Sequence, residues 1–269
     1  NNTVSGNLMK DNLGTAGVLE RSPGNTISGN EIENCSGGVI LWHASDHNSV
    51  LCNTMTNAVS HSGYEGGGIT IWGSTGNLLR DNAMSNFSYG LGMEVGPVDV
   101  FSEGDCQLEN FIHDIDTSNT VDGKPIYYLI NQHGATVSPA THPQAASLFL
   151  VNSSGVTVRD MALNGLNMFY VDNATVSNVS STRSWRGILL FETTDSVVSN
   201  CTASLGDYGI RLYNSTGNTV EECLVESNEN HGIWLEGACT GNAVLGNTIG
   251  SNGPIYGNGI RLEDSPDNE

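Results

Sequence analysis

Asn2-Thr3-Val4-Ser5-Gly6-Asn7 recurs as Asn25-Thr26-Ile27-Ser28-Gly29-Asn30, as Asn48-Ser49-Val50-Leu51-Cys52-Asn53 and as Asn77-Leu78-Leu79-Arg80-Asp81-Asn82, with starts 23, 23 and 29 residues apart. The series returns at Asn173-Ala174-Thr175-Val176-Ser177-Asn178, Ser196-Val197-Val198-Ser199-Asn200, Asn218-Thr219-Val220-Glu221-Glu222-Cys223 and Asn242-Ala243-Val244-Leu245-Gly246-Asn247, at spacings of 23, 22 and 24. A fixed period of this length decides the architecture before any local propensity does.

Each unit carries a further short strand led by glycine: Gly38-Val39-Ile40-Leu41, Gly68-Ile69-Thr70-Ile71, Gly92-Met93-Glu94-Val95, Gly187-Ile188-Leu189-Leu190, Gly209-Ile210-Arg211-Leu212, Gly232-Ile233-Trp234-Leu235 and Gly259-Ile260-Arg261-Leu262. Strand alternation puts the first and third residues after the glycine on one face. These are apolar while the second varies, so the first pair faces a core. Three short strands cannot bury their own apolar face, and stacking of successive coils closes the core. The expected fold is all-β, a parallel β-helix of roughly ten coils of about 23 residues.

The asparagines share the period. Asn7, Asn30, Asn53, Asn82, Asn178 and Asn247 hold one phase, and Asn12, Asn34, Asn57, Asn86, Asn228 and Asn252 roughly another. Asparagine tolerates left-handed turns, and stacked amides hydrogen-bond along the axis, so both sets are expected at structural turns. Periodicity fails between about 97 and 146. The expected organisation is therefore one β-helix domain over 1–269: N-terminal coils 1–96, a coil remnant with an irregular insertion over 97–146, and C-terminal coils 147–269. Neither end shows an evident cap, which points to a piece of a longer polypeptide, or to copies associating as a homo-oligomer, surface array or filament.

Acidic residues outnumber basic ones 29 to 9, a formal charge of −20, so a phosphate backbone is repelled and nucleic acid is not an expected partner. No apolar run approaches the length of a membrane-spanning helix. Six cysteines show no C-x-x-C pair. Cys201 and Cys223 stand at equivalent places of adjacent coils, where a buried thiol ladder and a disulfide are both open readings. Calcium is left open by the charge, but no D-x-D-x-D-G loop names ligands, and no other cofactor is expected.

The Asn-x-[Ile/Val] and Gly-[Ile/Val]-x-Leu coils, joined by Asn119-Thr-Val-Asp-Gly-Lys-Pro-Ile-Tyr-Tyr128, resemble the NosD-like β-helix proteins of the wider carbohydrate-binding and sugar-hydrolase class. The resemblance implies right-handed winding and a secreted or cell-surface setting, and it implies no single reaction. Named members are linked to assembly of a copper site, which would need clustered His, Cys or Met. Seven histidines scatter across phases; only His43 and His47 stand four apart, at a turn, so no metal site is expected.

Two constellations remain. Asp207, Tyr208, Arg211, His231, Glu236, Arg261 and Glu263 gather around three successive Gly-led strands. Asp207, Arg211, His231, Glu236 and Glu263 would be the catalytic set if the chain were a polysaccharide hydrolase or lyase. An ordinary surface ladder of opposite charges explains the same residues. Asn230-His231-Gly232 echoes polygalacturonases, whose Asp-Asp pair and Arg-x-Lys are absent. The second constellation is an outward stripe of Trp42, Trp72, Phe191, Tyr213 and Trp234, accompanied by Ile40 and Leu189. Aligned apolar side chains on an exterior sheet mark a contact surface, for sugar rings, a partner chain or the insertion. The leading expectation is a non-enzymatic scaffold outside the cell for adhesion, glycan binding or envelope assembly. Sequons occur at Asn1, Asn34, Asn86, Asn152, Asn173, Asn178, Asn200 and Asn214, with Asn152 and Asn214 the expected glycosylation sites because they follow strands at turns.

Overall fold

A computed structural model describes residues 1–57, 67–87, 92–96, 107–253 and 257–269. It is all-β, as the repeat predicts, and divides into two compact units, 1–126 and 127–269.

In the first unit each coil contributes one strand to each of three parallel sheets. The first sheet stacks Thr3–Ser5, Thr26–Ser28, Ser49–Leu51, Leu78–Arg80 and Asp114–Ile115. The second stacks Leu8–Lys10, Glu31–Glu33, Thr54–Thr56, Ala83–Ser85 and Thr120–Val121, and the third Thr15–Glu20, Gly37–Trp42, Ile69–Trp72 and Met93–Gly96. Register follows the sequence repeat residue for residue, with Val4 on Ile27 and Ile27 on Val50. The enclosed side chains, among them Val50, Met55, Ile69, Ile71 and Leu79, are fully buried.

Two asparagine ladders run through this unit. The Asn25 backbone N–H donates to Asn48 Oδ1 at 2.6 Å, and that of Asn48 to Asn77 Oδ1 at 2.8 Å. In the other, Asn53 Oδ1 accepts both the backbone N–H and the side-chain amide of Asn30, at 3.0 and 2.9 Å, and Asn82 does the same for Asn53. Asn34, Asn57 and Asn86 belong elsewhere, at φ 52°, 58° and 56° on left-handed corners. Asn178, expected in the ladder phase, joins these corners at φ 51°, and Asn228 and Asn252 are ladder members. Both sets are structural, as expected, but each mixes ladder members with residues one position away on the left-handed corners.

The second unit repeats the plan. Its Gly-led sheet stacks Ser147–Ser154, Gly165–Asp172, Arg186–Phe191, Tyr208–Tyr213, Ile233–Glu236 and Ile260–Glu263. Leu148, Leu150, Ile188, Leu190, Ile210, Leu212, Ile233 and Leu235 point inward to one core. Glycine leads these strands because the coils approach closely there. A Cβ on Gly187 would sit 2.5 Å from the Gly209 carbonyl oxygen, and one on Gly209 equally close to that of Gly232.

The aperiodic stretch is more regular than expected where it is described. Leu108–Phe111 forms one 3-10 turn, and Asp114–Ile115 and Thr120–Val121 continue two sheets of the first unit. Thr120 and Val121 pair antiparallel with Pro125 and Lys124. The intervening Asp122 and Gly123 have φ 49° and 74°, the double positive φ of a two-residue hairpin turn that Asp-Gly favours. The Val-Asp-Gly-Lys segment is thus a hairpin signal. Thr136–Val137 adds to a sheet of the second unit, leaving 138–146 without strand. Cys106 and His61 lie outside the described residues.

Candidate binding face

Parallel register carries the second and fourth positions after each glycine into two outward columns in the second unit. One reads Phe149, Asn167, Leu189, Arg211, Trp234, Arg261; the other Val151, Phe169, Phe191, Tyr213, Glu236, Glu263. Side chains 18 to 27 residues apart are therefore direct neighbours. Arg211 lies 4.4 Å from the Trp234 ring centroid and Arg261 4.9 Å, so the indole is bracketed by two guanidinium groups. Phe191 and Tyr213 stack at 5.2 Å and 3°. Tyr208 and His231, each just before its glycine, close on Trp234 at 5.2 Å.

Both glutamates of this face are tied to arginine. Arg211 Nε donates to Glu236 Oε2 at 3.0 Å and its Nη2 reaches the same oxygen; the side chains are 7% and 9% exposed, so the pair is buried. Arg261 meets Glu263 at 2.6 Å with both side chains about 40% exposed, and its Nη1 is 2.9 Å from His231 Nε2. The Asn258 N–H donates to His231 Nδ1 at 3.0 Å. Burial and the Arg261 charge hold the His231 pKa below its usual value. Asp207 stands apart from these pairs. Burial pushes its carboxyl up to about 6, against the hydrogen bond it accepts from the Asn230 amide. The carboxyl is therefore partly protonated near neutrality.

The structure thus brings Asp207, Tyr208, Arg211, His231, Glu236, Arg261 and Glu263 together around Trp234. The sequence marks Asn230 only through the Asn230-His231-Gly232 echo and not as the partner of Asp207, and it leaves out Arg186, which is buried and in register with Tyr208. The signal was available: the residue before each leading glycine is Arg186, Tyr208 and His231, one column of planar polar side chains.

The aromatic stripe is placed in two groups. Trp42 and Trp72 are in register in the first unit, 6.3 Å apart edge to face, with His43 stacked on Trp42 at 4.7 Å. Phe191, Tyr213 and Trp234 are in the second unit. They point outward as expected, yet Phe191 is 1% and Trp234 8% exposed, and Ile40 and Leu189 are similarly buried. Outward direction therefore leaves these side chains little free surface. Phe191 meets Phe169 and Tyr170 edge to face and Tyr213 face to face, and Arg211 lies 5.8 Å from the Tyr213 ring centroid.

Asn152 and Asn214 both occupy left-handed corners, at φ 47° and 46°. The Asn152 amide donates to Asn131 Oδ1 at 2.7 Å and that of Asn214 to Glu192 Oε1 at 3.0 Å. Among the described residues no group of three His, Cys, Asp or Glu is placed to hold a metal ion, and no helix is long and apolar enough to cross a membrane.

Solved structures similar to this chain include the Dettilon tailspike protein, at 13% identity and TM-score 0.36, matched over 97% of this chain and 60% of that one. They also include an alginate lyase from Paenibacillus sp., at 13% identity and TM-score 0.29 over 98% and 79% of the two chains. A third is the A-module of the mannuronan C-5 epimerase AlgE4 of Azotobacter vinelandii, at 11% identity and TM-score 0.30 over 100% and 78%. The chain spans about 60% of the tailspike's length. At these scores the likenesses say nothing about function. No curated protein matches. Residues 1–78 match the family described as periplasmic copper-binding protein (NosD), whose copper has no counterpart in a described ligand cluster. Residues 117–269, more than half of the sequence, match the right-handed β-helix region, and with its stacked parallel coils the chain belongs to the NosD-like right-handed β-helix family.

Proposed function

We propose that the chain is a non-enzymatic scaffold outside the cytoplasm, used in adhesion or envelope assembly, that binds glycans along the outward face at Tyr208, His231, Trp234, Arg261 and Glu263. The observation that carries this is the pairing of both face glutamates with arginine. Such a face offers fixed hydrogen-bond donors and acceptors on an aromatic floor and lacks a free acid–base pair. Arg261 and Glu263 are its reachable groups, and their planar ends suit neighbouring sugar hydroxyls. Trp234 acts as the floor that holds Arg261 in place, since its own faces are covered. The charge of −20 favours neutral over anionic glycans. The periplasmic setting named for the family over residues 1–78 supports a location outside the cytoplasm.

A glycan array probed with the purified chain, repeated with Arg261→Ala, tests this reading. Binding to neutral glycans that falls at least tenfold in the variant is expected. A folded chain that binds nothing on the array would overturn it. One observation favours a second reading, a carbohydrate-active enzyme: a carboxyl held near 6 at Asp207 suits a proton donor. Release of reducing sugar from a glycan panel, abolished by Asp207→Asn, would establish that reading in place of the first.

A further inference from the structure

We propose that Cys201 and Cys223 are an oxidisable pair that closes a disulfide between successive coils of the second unit, locking the loop that carries Asp207, Tyr208, Arg211 and Tyr213. The two follow from register. Thr202 pairs with Leu224 in parallel, so the residues just before them are neighbours one strand spacing apart, about 4.8 Å. That lies inside the span of about 4.4 to 6.8 Å between Cα atoms that disulfides bridge. The side chains also point the same way. Cys201 Sγ is 3.2 Å from the Ser199 carbonyl oxygen and Cys223 Sγ 3.2 Å from that of Glu221, and both residues are 1% exposed.

The column these residues share makes the choice of cysteine informative. By register it reads Val179, Cys201, Cys223, Asn247. Asn247 Oδ1 accepts the Cys223 N–H at 2.9 Å, as ladder asparagines do, whereas the Cys201 N–H is left with Cys223 Sγ at 3.4 Å. Sulfur is a weak acceptor. The sequence gives up a strong rung where a second sulfur stands beside the first. The other described cysteines lack this arrangement. Cys35 faces the Asn12 amide, Cys239 accepts the Ser215 N–H, and Cys52 is exposed on a left-handed corner.

Closure breaks two S–H bonds and forms one S–S bond. Two electrons and two protons pass to a disulfide oxidant of the glutathione class, released as two thiols. One thiolate attacks the oxidant and the other cysteine resolves the mixed disulfide. At 1% exposure this happens as the coil forms or opens locally. The closed loop, 201–223, contains the whole strand Tyr208–Tyr213.

The test is to refold the full chain in a buffer of oxidised and reduced glutathione, alkylate it in denaturant, digest it and map the peptides by mass. The expected product joins the Cys201 and Cys223 peptides, two hydrogens lighter than the separate thiol peptides, and takes up alkyl label at both cysteines only after dithiothreitol. Alkylation of both in the oxidised sample, or a link from either to another cysteine, overturns the proposal. Mapping uses the unaltered chain. As a second arm, dithiothreitol is expected to expose the 201–223 loop to protease in the unaltered chain and to change nothing in a Cys201→Ala, Cys223→Ala variant; equal cleavage of the unaltered chain with and without reductant also overturns it.

Discussion

In residues 1–126 the backbone N–H groups at two of the inward coil corners are handed to amide oxygens, from Asn25 to Asn77 in one ladder and Asn30 to Asn119 in the other, while a third corner uses serine hydroxyls from Ser22 to Ser74. In residues 127–269 the same task falls to a mixed set. The Ala174 N–H donates to Ser196 Oγ at 2.9 Å, Thr193 to Ser215 Oγ at 3.1 Å and Ser215 to Cys239 Sγ at 3.3 Å, with Asn218 and Asn242 between them. What must be supplied is a buried acceptor, because an unpaired N–H in the core is costly. Asparagine supplies it and adds a donor that reaches the next amide of the ladder; the serine hydroxyl donates back to a strand carbonyl instead, as Ser196 does to Thr194 at 2.9 Å. The first unit is therefore cross-linked along its axis mainly by amides, whereas the second shares that task among serine, cysteine and the shorter ladders Asn218–Asn242–Asn268 and Asn228–Asn252 and adds its outward column of aromatics and arginines.

The largest effect is expected at that column. Arg211→Ala strands the buried Glu236 carboxylate, and breaking such a pair costs about 4 kcal/mol. Urea unfolding followed by hydrogen exchange in the second unit reads this loss, and Arg211→Met with Glu236→Gln is expected to recover most of it. In the first unit Lys10→Ala, which removes the exposed ion pair with Glu33, is expected to leave the midpoint unchanged. Equal losses in the two variants would erase the contrast between the faces.

Next comes the ladder. Asn53→Ala leaves two buried Asn30 donors without their acceptor, at a cost of roughly 3 kcal/mol, while Ser196→Ala removes the acceptor of a single N–H and costs roughly 1.5 kcal/mol. Chemical denaturation of both variants checks the ratio. A serine loss as large as the asparagine loss would show that the amide's extra donor contributes nothing.

Acid separates the units further. His113 ends the first ladder by accepting the Asn77 N–H on Nδ1, and burial lowers its pKa to about 4. The unfolded chain, with a histidine near 6.5, binds the proton first, so this stability is complete above that value and falls by about 3 kcal/mol as pH drops to about 4. Asp207 has the opposite sign. Its pKa is raised to about 6, so the folded state holds the proton and its contribution is lost as pH rises through that value. Hydrogen exchange between pH 4 and 7 is expected to show protection near 113 rising with pH and protection near 207 falling. His113→Asn is expected to remove the first trend alone.

How far the sequence reveals this depends on which interactions are periodic. The coils, the core phase and the glycine positions are legible because stacking makes each residue answer to one a coil away. Trp234 between Arg211 and Arg261 is legible for the same reason, since all three stand second after a glycine. Burial of Phe191 and Trp234 is not, because the pattern gives direction from the core and says nothing of what lies over the far side. The raised carboxyl of Asp207 is not legible either: burial raises it against the hydrogen bond from Asn230, and burial at that position belongs to no motif. The Asp122-Gly123 hairpin carries its own two-residue signal, which is independent of the coil period and so does not show in a search for repeats.

The smallest effects are expected at the left-handed corners, where the two units are alike. Asn34 in the first and Asn178 in the second sit at φ 52° and 51°, and each side-chain amide donates outward, to Asp11 at 3.0 Å and to Asp160 at 2.8 Å. Both bonds are exposed and compete with water, so the backbone conformation is what the residue contributes. Replacement by glycine, which adopts this φ without penalty, is expected to shift stability by only a few tenths of a kcal/mol. Replacement by alanine is expected to cost roughly 1 kcal/mol, because alanine keeps the Cβ that crowds the following carbonyl and loses the short polar side chain that offsets this in asparagine. The measurement is the difference between the glycine and alanine variants at each site by thermal or urea unfolding. If alanine equals glycine at both corners, the asparagines are held by their side-chain bonds. If the penalty appears in one unit only, the corners are not equivalent and the comparison between the units extends to their turns.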